Sequence, residues 1–252
     1  MEASPSLVTP DDAVARLRAL GFGERETEIL AEHFVDADAR GKPGHGTSRI
    51  DWLASWPGLD PTARPERVVA EEGYERWESR GALGYLVLAA VVEAQLAWPP
   101  ARARVVVAHN SAPTGVLGYW ARKLAEGGLV TAVTATSPRR LGHPEGGPPL
   151  TGTNPLAIAV PSSDGEPIVA DVSMAKATHG DALAGRAPLE DIVPFGGDQA
   201  YKAFALAVGL QLLVEALAGD GLGAVLLVAR PEADPVPAFR ALADGARLPG
   251  DR

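Results

Sequence analysis

Cysteine is absent from the 252 residues, which excludes disulfides, thiolate metal sites and a cysteine nucleophile. A basic surplus is missing too. With a formal net charge of -9 and no Lys/Arg cluster interleaved with aromatics, a general nucleic-acid surface is excluded. The longest apolar run, Gly81 to Trp98, is interrupted by Glu93 and Gln95 and followed by Pro99-Pro100. It reads as a buried helix and not as a membrane span. Met1-Glu2-Ala3-Ser4-Pro5 carries no signal-peptide pattern, so a cytoplasmic protein with no membrane partner is expected. Also lacking are a GxGxxG after a strand, a Walker loop and a G-x-S-x-G elbow. His33, His109, His143 and His179 have neither HxH nor HExxH spacing, so no metal is expected. What is present is ordinary: 46% hydrophobic and 22% charged residues, enough for a real core in one large domain or two small ones.

The chain opens helical. Thr9 caps a helix with Pro10 at its first position and Val14, Leu17 and Leu20 on one face. A second helix covers about Glu24 to Ala39, and Gly41-Lys42-Pro43-Gly44 breaks it. A third, from about Gly46 to Trp52, carries Ile50, Trp52 and Leu53, and Pro57 to Pro65 is a linker. From Glu66 the pattern changes to strands interleaved with helices. A hairpin is expected around Gly73, helices over Leu83 to Trp98, Val116 to Glu126 and Ala203 to Ala218, and strands at Arg104 to Ala108, Leu129 to Thr136, Leu156 to Val160, Pro167 to Val172 and Ala224 to Val228. The expectation is α/β (α+β): a helical domain over residues 1–65, then a mixed-sheet domain over 66–252 whose C-terminal helix is free to return to the first. The Gly- and Pro-rich loop Pro138 to Gly152 is a candidate mobile lid.

Gly44-His45-Gly46-Thr47-Ser48-Arg49 carries the most chemistry. On one helix, His45 and Arg49 would stand a turn apart. A guanidinium fork would then grip a small carboxylate while the imidazole serves the neighbouring carbonyl or imine. The plainer alternative is a helix start with a surface His and a solvated Arg. Other polar residues fall at strand ends: Asn110-Ser111, Ser137, Thr153-Asn154 and Asp171. Asp171 closes the apolar strand Ile168-Val169-Ala170, where an unpaired charge is costly. It either orients His45 or caps the following turn. Tyr201-Lys202, before the long apolar helix, would set an ammonium against a phosphate or carboxamide, or is simply solvated.

In order along the chain, Ala37-Asp38-Ala39-Arg40-Gly41, His45-Gly46 with Arg49, Asn110-Ser111 with Gly115 and Gly118-Tyr119, Thr136-Ser137, Gly152-Thr153-Asn154-Pro155, Asp171-Val172-Ser173-Met174, Tyr201-Lys202 and Arg247-Leu248-Pro249-Gly250 resemble the malate/L-lactate dehydrogenase-like family. These are non-Rossmann NAD(P)H-dependent reductases. The resemblance implies a fold of that type, not a Rossmann fold, and a homodimer with the site near the subunit interface. It implies NADH or NADPH as cofactor, with hydride transfer to the C=O or C=N of a small carboxylate-bearing 2-oxo acid or cyclic imine; the departures at Pro113 and in the shortened segment point to a specialised, biosynthetic acceptor. By the same resemblance His45 matches the proton donor and Arg49 the ligand of the substrate carboxylate, and the strand-end reading adds Asp171 as a catalytic residue tuning His45. Arg49, with Asn110, Thr153 and Asn154, would face the substrate. Ser137, Pro167, Ile168, Val169, Ala170, Asp171, Val172, Ser173, Tyr201, Lys202 and the segment Gly250 to Arg252 would line the cofactor.

The chain departs from the family pattern at Pro113, where a second active-site His is usual, at Ala175, where a Ser is common, and at Ala203, where a Gly follows the family's Lys. The segment between His179 and Phe195 is short, and Pro249-Gly250 lie close to the last residue. Less surface then encloses substrate and cofactor. The alternative is a family scaffold without redox activity, either a non-redox acid–base enzyme or a silent binding partner.

Overall fold

The computed structural model of the chain describes residues 9–251, so the signal-peptide expectation at Met1 to Pro5 and the cofactor expectation at Arg252 lie outside the described residues. Helices α1 (Pro10–Ala19) and α2 (Glu24–Ala39) are followed by a 3₁₀ turn (Pro43–His45) and α3 (Arg49–Ala54). The hairpin β1 (Glu66–Ala70) and β2 (Tyr74–Glu78) precedes α4 (Gly84–Ala97), β3 (Ala103–His109), α5 (Leu117–Glu126) and β4 (Val130–Ala135). Then come β5 (Leu156–Val160), β6 (Ile168–Val172), α6 (His179–Leu183), α7 (Ala200–Ala218), β7 (Gly223–Ala229) and α8 (Val236–Ala243).

Local chemistry explains the elements. The Thr9 hydroxyl accepts the Asp12 N–H at 3.2 Å and caps α1. Helix α4 is apolar all round, with Tyr85, Leu86, Val87, Leu88, Val91 and Val92 buried, and so lies in the interior. One core runs from Leu17, Leu30 and Phe34 through Leu88 and Trp120 to Val106 and Leu226 of the sheet. The N-terminal helices therefore share their interior with the rest of the chain. Helix α5 packs on β4, β5 and β6, and α7 covers the opposite face through Val214 and Ala218 against Val107 and Val225.

The seven strands form one mixed sheet in the order β1-β2-β3-β7-β4-β5-β6. Only β2 and β3 are parallel neighbours, so the sheet is not Rossmann-like. Strand β7 runs antiparallel to both β3 and β4, and β5 antiparallel to both β4 and β6. Hence β3, β4 and β6 point the same way, and the loops after them open on one edge of the sheet. The 3₁₀ turn meets α6 at that edge. Helix α8 lies by the β5–β6 turn, where Arg240 donates to Asp164 and to the Glu166 carbonyl.

Two expectations are corrected. His45 and Arg49 do not share a helix: His45 ends the 3₁₀ turn, Gly46 breaks the geometry, and Arg49 opens α3. The loop 138–152 is not free along its length. Leu141 is fully buried, and its N–H and that of Arg140 both donate to the Thr151 carbonyl.

Candidate active site

The loops after β3, β4 and β6, the turn before α3 and the start of α6 enclose a cavity of about 580 Å³. Lys42, His45, Arg49, Ser137, Arg140, Thr153, Asp171, Ser173, His179 and Asp181 line its polar side, and Trp52, Trp56 and Pro113 its apolar side.

Asp38 of α2 shapes the turn that carries His45. Its carboxylate accepts the Thr47 N–H at 2.9 Å and the Thr47 hydroxyl at 2.7 Å. A Cβ at Gly46 would overlap that carboxylate and push it off Thr47, so glycine here lets the Asp38–Thr47 bonds form. Gly44 meets a second backbone: a Cβ there would lie 2.7 Å from the Gly180 carbonyl carbon and 2.8 Å from the Asp181 nitrogen. Two glycines back to back thus press α6 against the His45 turn. A reciprocal capping box between Thr178 and Asp181 starts α6 at that point.

The guanidinium of Arg49 lies 4.0 Å from the centroid of the Trp52 ring, and its Nε and Nη1 are buried without a partner. His45 Nδ1, His33 Nδ1 and the Tyr85 hydroxyl are likewise buried and unpartnered. Buried donors left unmet cost about 1–3 kcal/mol each, so such a cluster marks where a polar ligand or water belongs. Beneath the cavity, His33 Nε2 accepts the Val116 N–H at 3.0 Å and its ring stacks on Trp120 at 5.3 Å. The Trp120 indole in turn donates to the Thr114 carbonyl at 2.8 Å, which fixes the loop before α5.

Electrostatics keep the site histidines neutral. Burial lowers His45 to about 4; Arg49 and Lys42 add to the shift, while Asp181 and Asp171 oppose it. Burial lowers His33 to about 3, with His45 the next cause. His179 is also lowered, by burial and by the Arg140 and Arg49 guanidiniums.

The fold distributes the expected site residues unequally. His45, Arg49, Ser137, Thr153, Asp171 and Ser173 meet in the cavity. Asp171 does not hydrogen-bond His45; it pairs with Lys42 Nζ at 2.5 Å, because the turn leaves the lysine pointing across the cavity. Asn110 lies outside, exposed in a left-handed conformation after β3. Asn154 is fully buried, its amide donating to the Ala207 carbonyl at 3.0 Å and to Gln211 at 2.9 Å, so it ties its loop to α7. Pro167, Ile168, Val169, Ala170 and Val172 follow β6 away from the cavity, and Pro249 accepts the Val169 N–H beside Gly250. Tyr201 and Lys202 are exposed at the start of α7. A second, more open cleft, lined by His143, Lys176, Phe195, Gly196 and Ala200, lies near them, and Arg140 borders both clefts.

Sequence reasoning missed Lys42, Arg140, Asp181 and the cavity role of His179. Only the Thr178-x-x-Asp181 capping pattern was readable in advance. The others depend on which loops the sheet brings together.

Comparison with known proteins supports this architecture. The chain is 31% identical over 191 residues to the (2R)-3-sulfolactate dehydrogenase (NADP(+)) of Chromohalobacter salexigens, covering 71% of this chain and 55% of that protein. It is 31% identical over 231 residues to the Delta(1)-pyrroline-2-carboxylate/Delta(1)-piperideine-2-carboxylate reductase of Pseudomonas putida, covering 79% and 66%. The chain thus spans about half to two thirds of these curated relatives. The solved delta1-piperideine-2-carboxylate reductase of Pseudomonas syringae pvar. tomato has the same fold, with a TM-score of 0.80 at 23% identity over 98% of this chain and 92% of that one. The sequence profile of the family described as Malate/L-lactate dehydrogenase matches residues 11–187, through the His45 turn, strands β1 to β6 and α6, and the chain belongs to that family.

Proposed function

We infer that the chain is an NAD(P)H-dependent reductase, or a dehydrogenase in the reverse direction, for the C=O or C=N of a small carboxylate-bearing 2-oxo acid or cyclic imine. One observation carries this reading: a buried Arg49 fork with unmet donors shares a cavity with a neutral, buried His45. The substrate carboxylate takes the Arg49 fork, where a charge-assisted pair is worth about 1.5–3 kcal/mol. That negative charge offsets the guanidinium that disfavours protonated His45, so the acid form gains population once substrate is bound. His45 then gives its proton to the carbonyl oxygen or imine nitrogen. Ser137, Thr153 and Ser173 supply hydroxyls on the cavity wall that fit a nicotinamide carboxamide, with Asp171 and Lys42 beside them. When bound, the nicotinamide supplies the hydride. Either nicotinamide dinucleotide is compatible with this wall.

Helix α7 supports a homodimer. Leu206, Leu213 and Leu217 are exposed along one side of it, with Tyr201 and Leu212 exposed beside them, a broad apolar face for a surface helix. A second reading, a family scaffold without redox work, is favoured by Tyr201, Lys202 and Gly250 lying outside the His45 cavity.

The deciding experiment titrates the purified protein with NADH and NADPH, following tryptophan quenching; Trp52 and Trp56 lie on the cavity wall. The reductase reading expects micromolar saturation by one of them, then turnover of 2-oxo acids or cyclic imines that His45→Ala abolishes. No binding at millimolar cofactor overturns it in favour of the second reading.

A further inference from the structure

Two carboxylates flank His45, from different elements, and they are not equivalent. Asp171, at the end of β6, is committed to Lys42 at 2.5 Å. Asp181, in the first turn of α6, forms no ion pair within 4 Å among the described residues. Its Oδ2 accepts the Thr178 N–H at 2.9 Å and the Thr178 hydroxyl at 2.7 Å, while its Oδ1 lies 2.9 Å from where a Gly44 Cβ would be. Gly44 is the residue before His45, and the Gly44–Gly180 contact holds the two segments together. A carboxylate that caps α6 but has no cationic partner among the described residues is thereby placed beside a buried imidazole whose Nδ1 has no partner.

The geometry points to Asp181, and not Asp171, as the positioning residue of His45: its charge favours the imidazolium form that the proposed reduction needs, through a contact made by α6 with the turn. The inference rests on the reductase reading for its purpose, but its electrostatic content stands without it. The groups facing His45 are Arg49 at the start of α3, Lys42 in its own turn, His33 of α2, Asp171 of β6 and Asp181 of α6. Arg49 and Lys42 oppose protonation, and the Lys42–Asp171 pair cancels much of its own field. Asp181 accordingly stands first among the influences that favour the charged ring, ahead of Asp171.

The test is a pH titration of the His45 ring by NMR on the purified protein, in wild type, Asp181→Asn, Asp171→Asn and Thr178→Ala. Asp181→Asn is expected to lower the His45 midpoint by about half a unit or more, roughly threefold in the protonation constant, and by more than Asp171→Asn does. Thr178→Ala loosens the same cap while keeping the charge, so it should leave the midpoint in place; a purely structural role for Asp181 would make it behave like Asp181→Asn. In wild type alone, the Asp181 carboxyl carbon should show a step at the His45 midpoint, which keeps the test open if a variant does not fold. An unmoved midpoint in Asp181→Asn, a larger fall in Asp171→Asn, or no step at the Asp181 carbon overturns the proposal. Failure of the reductase reading appears separately, as absent NAD(P)H binding with the Asp181–His45 coupling intact.

Discussion

At the scale of single residues, the site rests on a few side chains whose neighbours leave them unfinished. Arg49 is buried on Trp52 with donors unmet, a geometry that suits a planar fork and not a point charge. Arg49→Lys should therefore raise the substrate KM by about tenfold to a hundredfold, with a smaller change in kcat and an unchanged circular dichroism spectrum. Steady-state kinetics on the substrate found in the screen checks this, and an unchanged KM would move the carboxylate away from Arg49. The residue types at His45 and Arg49 were legible in the sequence because their spacing is local. The partner of Asp171 was not, since Lys42 and Asp171 are 129 positions apart and meet only across the cavity.

At the scale of elements, the contact between the 3₁₀ turn and α6 governs where His45 stands. Gly44→Ala puts a methyl group 2.7 Å from the Gly180 carbonyl carbon, so α6 or the turn must shift. Such overpacking costs about 1–3 kcal/mol, and thermal denaturation should show Tm falling by roughly 2–12 °C. Because the displaced residues flank His45, kcat/KM should fall by more than tenfold in the same variant at temperatures where it stays folded. Wild-type kinetics in Gly44→Ala would mean that α6 contributes nothing to His45. Most elements follow from hydrophobic period and caps, as α2 and α4 illustrate. The start of the third helix did not: it begins at Arg49 and not at Gly46, because the Asp38–Thr47 hydrogen bonds favour a turn over continuous helix there.

At the scale of the whole molecule, burial of the site histidines sets a pH dependence. His33 is buried and neutral, lowered from 6.5 to about 3 in the folded chain. The unfolded chain takes up this proton first, so the associated stability is full above pH 6.5 and is lost as pH falls toward 3. His45 behaves alike between 6.5 and about 4. Each contributes up to about 1.4 kcal/mol per pH unit in that window. Urea unfolding at pH 6.5 and pH 4.5 should show the loss, and His33→Gln should flatten the slope by about one proton. An unaltered slope would show that His33 already binds its proton in the fold. The proposed dimer is tested at the same scale. Leu206→Glu with Leu213→Glu, on one stripe of α7, should convert a dimer to monomer in sedimentation velocity; an unchanged sedimentation coefficient in the variant would place any dimer contact elsewhere.

What the sequence by itself determined was local in origin. Helix starts, strand periods, the exclusion of cysteine chemistry and the pairing of a histidine with an arginine four residues on all depend on neighbours along the chain. Its ordered motifs were enough to mark the family. Tertiary structure alone decided which strand ends face the same edge, and therefore that Ser137, Thr153, Asp171 and His45 share a cavity while Asn110, Asn154 and Lys202 do not. It also decided that Asp171 belongs to Lys42 and left Asp181 beside His45. The reason is physical: charge pairing and burial depend on distance in space, and residues far apart in sequence acquire that distance only when the sheet and its covering helices pack.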